Sequence, residues 1–157
     1  MEFKSLFSSK LMKLNHPSPS REKLFEEVAQ DLVSKGYVKS SYQEALVQRE
    51  QSFPTGLRTN YCNIAIPHTD AVHVKTPFIY LVQLQDELEF KNMGNSREEL
   101  NVKLIFFLGI TEPRNQTILL STLMEHFQTE DFSKIIFEER DTKQLEKKLN
   151  TFLTGGN

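Results

Sequence analysis

The stretch Ile64-Ala65-Ile66-Pro67-His68-Thr69-Asp70, with Arg49-Glu50 and Phe53-Pro54-Thr55-Gly56-Leu57 just upstream, decides how this chain reads. An apolar run of strand character meets a proline and then a histidine. Such a run suits a buried strand, and its end is a rigid place to present a side chain. Imidazole can act as a neutral nucleophile near physiological pH. An arginine and a threonine close in sequence suit an anionic group such as a phosphoryl. Taken alone, a histidine after a strand also reads as a structural or surface residue.

Working outward, Ser18-Pro19 predicts a helix start with proline at the first helical position. Leu24, Val28 and Leu32 recur at four-residue spacing, with Phe25 and Ala29 beside them, as one apolar helix face. Gly36 is placed to end that helix. Ser41-Tyr42-Gln43-Glu44 reads as a capping box, and the helix it opens carries Ala45, Leu46 and Arg49. It must stop before Pro54. Arg49 therefore falls in the last turns, where it either complements the helix dipole or serves a site.

Residues 63–66, 78–84 and 102–108 are rich in Val, Ile, Phe and Leu and are expected to be strands. The polar segment 86–100 lies between the second and third, with Gly94-Asn95 as a turn and Phe90 and Met93 tucking it down. Pro113 opens a helix whose wide apolar face holds Ile118, Leu119, Leu120, Leu123, Met124 and Phe127. Two further helices are expected over 131–138 and 142–152. Residues 1–17 are weakly patterned, either partly loose or holding an edge strand near 10–14, and Gly155-Gly156-Asn157 is expected to fray. No internal repeat appears. Helices mixed with buried strands argue for an α/β sandwich in which helices cover a sheet. Periodicity alone does not give the strand order.

At 157 residues the chain, 1–157, reads as one domain able to bury roughly 70% of its unfolded surface. Lys and Arg number 19 against 21 Asp and Glu, a net charge of −2. No broad basic field attracts nucleic acid or anionic lipid. Apolar stretches such as 104–108 are far too short to span a bilayer, which argues against direct membrane insertion. Lys4 and Lys10 are followed by no continuous apolar segment, so no signal peptide is read and a cytoplasmic location is expected. The one cysteine, Cys62, cannot form an internal disulfide and reads as a small buried or half-buried residue.

Arg49-Glu50-x-x-Phe53-Pro54-Thr55-Gly56-Leu57 followed by Ile64-Ala65-Ile66-Pro67-His68 resembles the fructose–mannitol type (type 2) of enzyme IIA domain of the bacterial sugar phosphotransferase system. The resemblance runs from about Ser18 to about Leu153. It looks most like the galactitol subgroup, because of Phe53-Pro54-Thr55-Gly56 and the second histidine, His73. It implies a single-domain mixed β-sheet with helices on both faces. It also implies a phosphohistidine carrier, with His68 accepting the phosphoryl group from phosphorylated HPr and a cognate enzyme IIB receiving it. IIB in turn serves the membrane enzyme IIC during uptake of a galactitol-like polyol. No cofactor and no metal are implied. Mannitol-type relatives carry a second active-site histidine near the start of the helix that begins here around Pro113. The matching position is Gln116, which can donate a hydrogen bond but cannot carry charge or shuttle a proton. That favours a single acceptor at His68.

A phosphohistidine carrier needs an unprotonated ring nitrogen, donors for the phosphoryl oxygens and a setting two partners can reach. His68 fits the first need. Arg49 offers a cationic fork and Thr55 a hydroxyl; Thr55 also reads as a turn residue before Gly56. Thr69 can donate too, and with Asp70 it also reads as a loop cap. Asp70 would repel a phosphoryl group and suits instead the orienting of a ring nitrogen of His68 or His73. His73 reads either as a second imidazole near the site or as a loop histidine bonded to a carbonyl. His16 and His126 read as structural or solvated. The site is expected to be shallow and open, ringed by apolar side chains such as Leu57 and Val72. Two other readings stand beside this one: a phosphorylated regulatory module of the same fold that signals by protein binding, and a metal-dependent hydrolase using His68-x-Asp70-x-x-His73.

Overall fold

The computed structural model describes residue 3 and residues 5–154. Lys4 and Gly155-Gly156-Asn157 lie outside the described residues. The elements in chain order are β1 (Phe7–His16), α1 (Arg21–Ser34), α2 (Tyr42–Ser52), β2 (Gly56–Leu57), β3 (Ile64–Ala65), a 3-10 turn (Ala71–His73), β4 (Phe78–Asn92), β5 (Asn95–Gly109), α3 (Pro113–Phe127), α4 (Glu130–Glu138) and α5 (Thr142–Leu153).

The sheet is mixed, as expected. β4 pairs in parallel with β1 and antiparallel with β5. β3 runs parallel to β5 and antiparallel to β2. β2 in turn meets the far end of β4 through Gly56 and Asn92. That contact is why position 56 must be glycine: a Cβ there would stand 2.6 Å from the Lys91 carbonyl oxygen.

Side chains alternate across the inner halves of β4 and β5. Phe78, Tyr80, Val82, Ile105 and Phe107 face α1 and α2 with Leu24, Phe25, Val28 and Leu32. Ile79, Leu81, Leu104, Phe106 and Leu108 face α3, α4 and α5 with Leu119, Leu123, Phe132 and Leu149. Both faces are therefore covered, and the strands read as continuous apolar runs.

Several expectations need correction. The first helix is capped by Ser20, whose hydroxyl accepts from the Lys23 N–H, so Ser18-Pro19 precedes it. Its end is as expected: Gly36 has φ +83°, and Gly36 and Tyr37 N–H groups bond back to Val33 and Leu32 carbonyls. Ser41 does not form a capping box; it has helical dihedrals and makes no side-chain cap. Segment 86–100 is not a separate polar connection but the outer half of a long β4–β5 hairpin. It is polar because only one face is covered there: Phe90, Leu100 and Val102 are buried, with Leu88 against them, while their neighbours face water. Met93 is exposed at the turn rather than tucked down. On α3, Leu119, Leu123 and Phe127 are buried, whereas Ile118 is exposed. Near the N-terminus, an edge strand forms over a longer span than 10–14. The Asn150 side chain bonds both the N–H and the carbonyl of Phe7, which ties α5 to β1. His16 ends that strand and bonds Glu27 at 2.9 Å. His126 stacks on Phe132.

Candidate functional site

The site is assembled where β3 runs out, α2 ends and β5 hands over to α3. Beyond Ala65 the chain continues alongside β5: the Leu108 N–H donates to the Pro67 carbonyl at 3.0 Å, and His68 bridges to Leu108. This fixes the His68 backbone in the sheet. The His68 ring bonds the Ile66 carbonyl through Nδ1 at 2.8 Å. A carbonyl only accepts, so Nδ1 carries the proton and Nε2 keeps its lone pair. Burial pushes the His68 pKa below the ordinary imidazole value, as does the nearby Arg49 charge. The bond to Ile66 and the Asp70 charge pull the other way without reversing the direction. The ring is thus neutral near physiological pH, as a nitrogen nucleophile requires.

Arg49 stands in the last turn of α2, where its sequence position placed it. Its guanidinium lies 5.1 Å from the centre of the Phe53 ring and donates to an Asp70 carboxylate oxygen at 3.2 Å. Its Nε–H is buried and has no partner among the described residues. Arg49, Phe53, Thr69, Asp70 and His73 line an open cleft of about 260 Å³. The cleft is open, but His68 is not among the residues that line it. The His68 ring itself is less open than expected, at 7% exposure, because the sheet pairing holds it inward.

Other expected residues are placed differently. Thr55 is buried, and its hydroxyl donates to Glu50 rather than facing the cleft. Asp70 pairs with Arg49, so the orienting partner of His68 is the Ile66 carbonyl instead. His73 shares a hydrogen bond of 2.8 Å with the Ser41 hydroxyl, and its carbonyl accepts from the Lys39 N–H. Gln116 sits in the first turns of α3 with a buried, unpartnered side-chain oxygen. Val72 is 63% exposed beside the cleft-lining residues, whereas Leu57 packs against the core on the α3–α5 face. Cys62 is half-buried, and burial pushes its thiol up to about 11. Among the described residues no three His, Cys, Asp or Glu side chains come together in a metal-holding group.

Two residues of the site stood in the sequence motif without an assigned role. Phe53 is 63% exposed at the cleft, where the motif carried it only as part of the Phe53-Pro54-Thr55-Gly56 signature. Glu50, which the motif places beside Arg49, is buried, and its spacing on α2 gave no sign of that.

The family model for the phosphoenolpyruvate-dependent sugar phosphotransferase system, EIIA 2, matches residues 5–151. The chain belongs to that family. The galactitol-specific EIIA component of Escherichia coli (strain K12) is 29% identical over 126 residues, covering 80% of this chain and 83% of that protein. A putative IIA domain from Streptococcus pyogenes M1 GAS superposes with a TM-score of 0.74 at 15% identity, covering 97% of this chain and 96% of that one. The mannitol enzyme IIA in complex with phosphorylated enzyme IIB from Escherichia coli gives 0.71 at 18% identity, covering 95% and 97%. At those identities the two structures show the fold. In this EIIA chain, as in the sequence motif, the Pro-His pair closes the strand that abuts β5.

Proposed function

We propose that the chain is a phosphohistidine carrier in which His68 Nε2 accepts a phosphoryl group from phosphorylated HPr and passes it to a cognate enzyme IIB. The observation that carries this reading is the pairing of a neutral, Nδ1-anchored His68 with an arginine that has a donor to spare beside it. In the first step the donor P–N bond breaks, its electron pair returns to the HPr imidazole, and a new P–N bond forms at His68 Nε2. The Nδ1 proton stays on the ring, held to the Ile66 carbonyl. Arg49 meets the arriving charge, exchanging its exposed partner Asp70 for phosphoryl oxygens. On delivery the P–N bond at His68 breaks, its electron pair returns to Nε2, and a new bond to phosphorus forms on the IIB acceptor.

The cleft suits protein partners met in turn. Phe53 and Val72 are large apolar side chains left exposed beside a charged centre, which fits small transient contacts. The mannitol relative's complex with IIB supports an acceptor of that kind, and the galactitol relative supports a galactitol-like polyol as the sugar served. A cytoplasmic location goes with the carrier reading, in which IIB passes the group on to the membrane enzyme IIC; no helix among the described residues is long and apolar enough to cross a membrane.

The test is phosphorylation of the purified chain by phosphorylated HPr. Wild type is expected to take up one acid-labile phosphoryl group, and His68→Gln none, with an unchanged circular dichroism spectrum. Full labelling of that variant on another histidine overturns the assignment. Transfer onward to a purified IIB separates the transport reading from the regulatory one.

A further inference from the structure

A carrier histidine must hold one tautomer, or its nucleophilic nitrogen is blocked part of the time. The tautomer of His68 depends on where the Ile66 carbonyl points, and Ile66 is itself held from elsewhere. The Ile66 N–H donates to the Thr55 carbonyl at 3.3 Å. Thr55 is gripped by Glu50 at two points: its N–H donates to one carboxylate oxygen and its hydroxyl to the other, each at 2.8 Å. Glu50, Thr55, Ile66 and His68 are all buried, so the run of hydrogen bonds lies in a low-dielectric setting.

We infer that Glu50 is a positioning residue for His68, acting through Thr55 and the Ile66 peptide to fix the Nδ1–H tautomer and leave Nε2 free. The inference rests on the carrier reading of His68. The Glu50 carboxylate bonds Thr55 and not the His68 ring, and Glu50 does not line the cleft. It follows Arg49 on α2, so one helical turn presents its arginine to the cleft and its glutamate to the loop beneath the histidine. A buried carboxyl is costly to keep, and its burial here pushes the Glu50 pKa upward despite the two Thr55 bonds. Two donors from a single residue are what the carboxyl gains in return. They clamp the start of β2, where Gly56 presses against the end of β4.

The experiment compares Glu50→Ala with Glu50→Gln, and reads the His68 ring by ¹⁵N NMR alongside phosphorylation by phosphoramidate. In that reaction the phosphoramidate P–N bond breaks, ammonia leaves with the electron pair, and Nε2 forms the new P–N bond. Glu50→Ala is expected to populate the Nε2–H tautomer and slow labelling by about tenfold. Glu50→Gln is expected to rescue both, because the amide oxygen can accept the Thr55 N–H while its NH₂ donates to the Thr55 hydroxyl oxygen. If Glu50→Ala fails to fold, Thr55→Val, which deletes only the hydroxyl donor, should give a smaller shift of the same sign. The inference is overturned if the folded variants keep His68 wholly as Nδ1–H at the wild-type rate, or if Glu50→Gln behaves like Glu50→Ala. A tautomer that shifts as expected in a protein whose wild type takes up no phosphoryl group would leave the positioning role standing and remove the carrier reading.

Discussion

Between the sheet and α3, α4 and α5 lie Phe7, Phe106, Phe127 and Phe132, with Phe152 and His126 against the last of these. Between the sheet and α1 and α2 lie Phe25, Tyr42, Phe78, Tyr80, Phe90 and Phe107, and beside them the buried Glu50 and Thr55. Both faces are aromatic, but on the first the one buried polar residue among those described is Ser133. The second lets a buried carboxyl, an arginine and a hydroxyl reach the edge where β3 ends. Chemistry and packing are thus divided between the two sides of one sheet. The histidine stands at the sheet margin, anchored by β5 and served by α2.

The comparison is broken most directly by removing Phe132. Its ring packs against Phe7, Phe106, Phe127, Phe152 and His126 at centroid distances of 5.3–6.4 Å. Phe132→Ala is expected to destabilise the fold by about 3–5 kcal/mol in denaturant titration. The fraction still folded should label at His68 at the wild-type rate. A large loss of rate in that fraction would show that the two faces are not independent.

Arg49→Ala should do the reverse. A hydrogen bond to a charged group is worth about 1.5–3 kcal/mol, so transfer is expected to slow roughly tenfold to over a hundredfold. Stability should hardly move, since the partner lost is the exposed Asp70 carboxylate. Transfer at the wild-type rate would make Arg49 a helix-end residue and nothing more.

The smallest effect is on the pH dependence of stability. His68 has a folded-state pKa below its ordinary value of 6.5. Below about 6.5 the unfolded chain therefore binds a proton that the folded chain does not. His68 costs no stability above that pH, and stability is lost as pH falls from about 6.5 through the lower folded value. A wild-type chain compared with His68→Gln should show that difference in chemical denaturation below pH 6.5 and none above it. Equal pH profiles would place the imidazole in contact with water.

Much of the frame could be read directly from residues. The four-residue spacing of Leu24, Val28 and Leu32, the stops at Gly36 and Pro54, and the β-branched runs each carry a local signal. Such signals survive because backbone preference and burial period act within one element. The outer hairpin was less legible, because a sheet covered on one face alternates with polar residues that resemble a loop.

The chain by itself marked the helices and the buried halves of the long strands, and marked Pro67-His68 as the end of a buried strand. Tertiary structure alone decided what each polar side chain does. Ser41 left its cap for His73, Asp70 turned to Arg49, and Thr55 turned away from the cleft to Glu50. Hydrogen-bond partners joined across separate elements have no period and no spacing rule. They are set by which groups share a low-dielectric space once the sheet has closed, and by the cost of leaving any of them unpaired there.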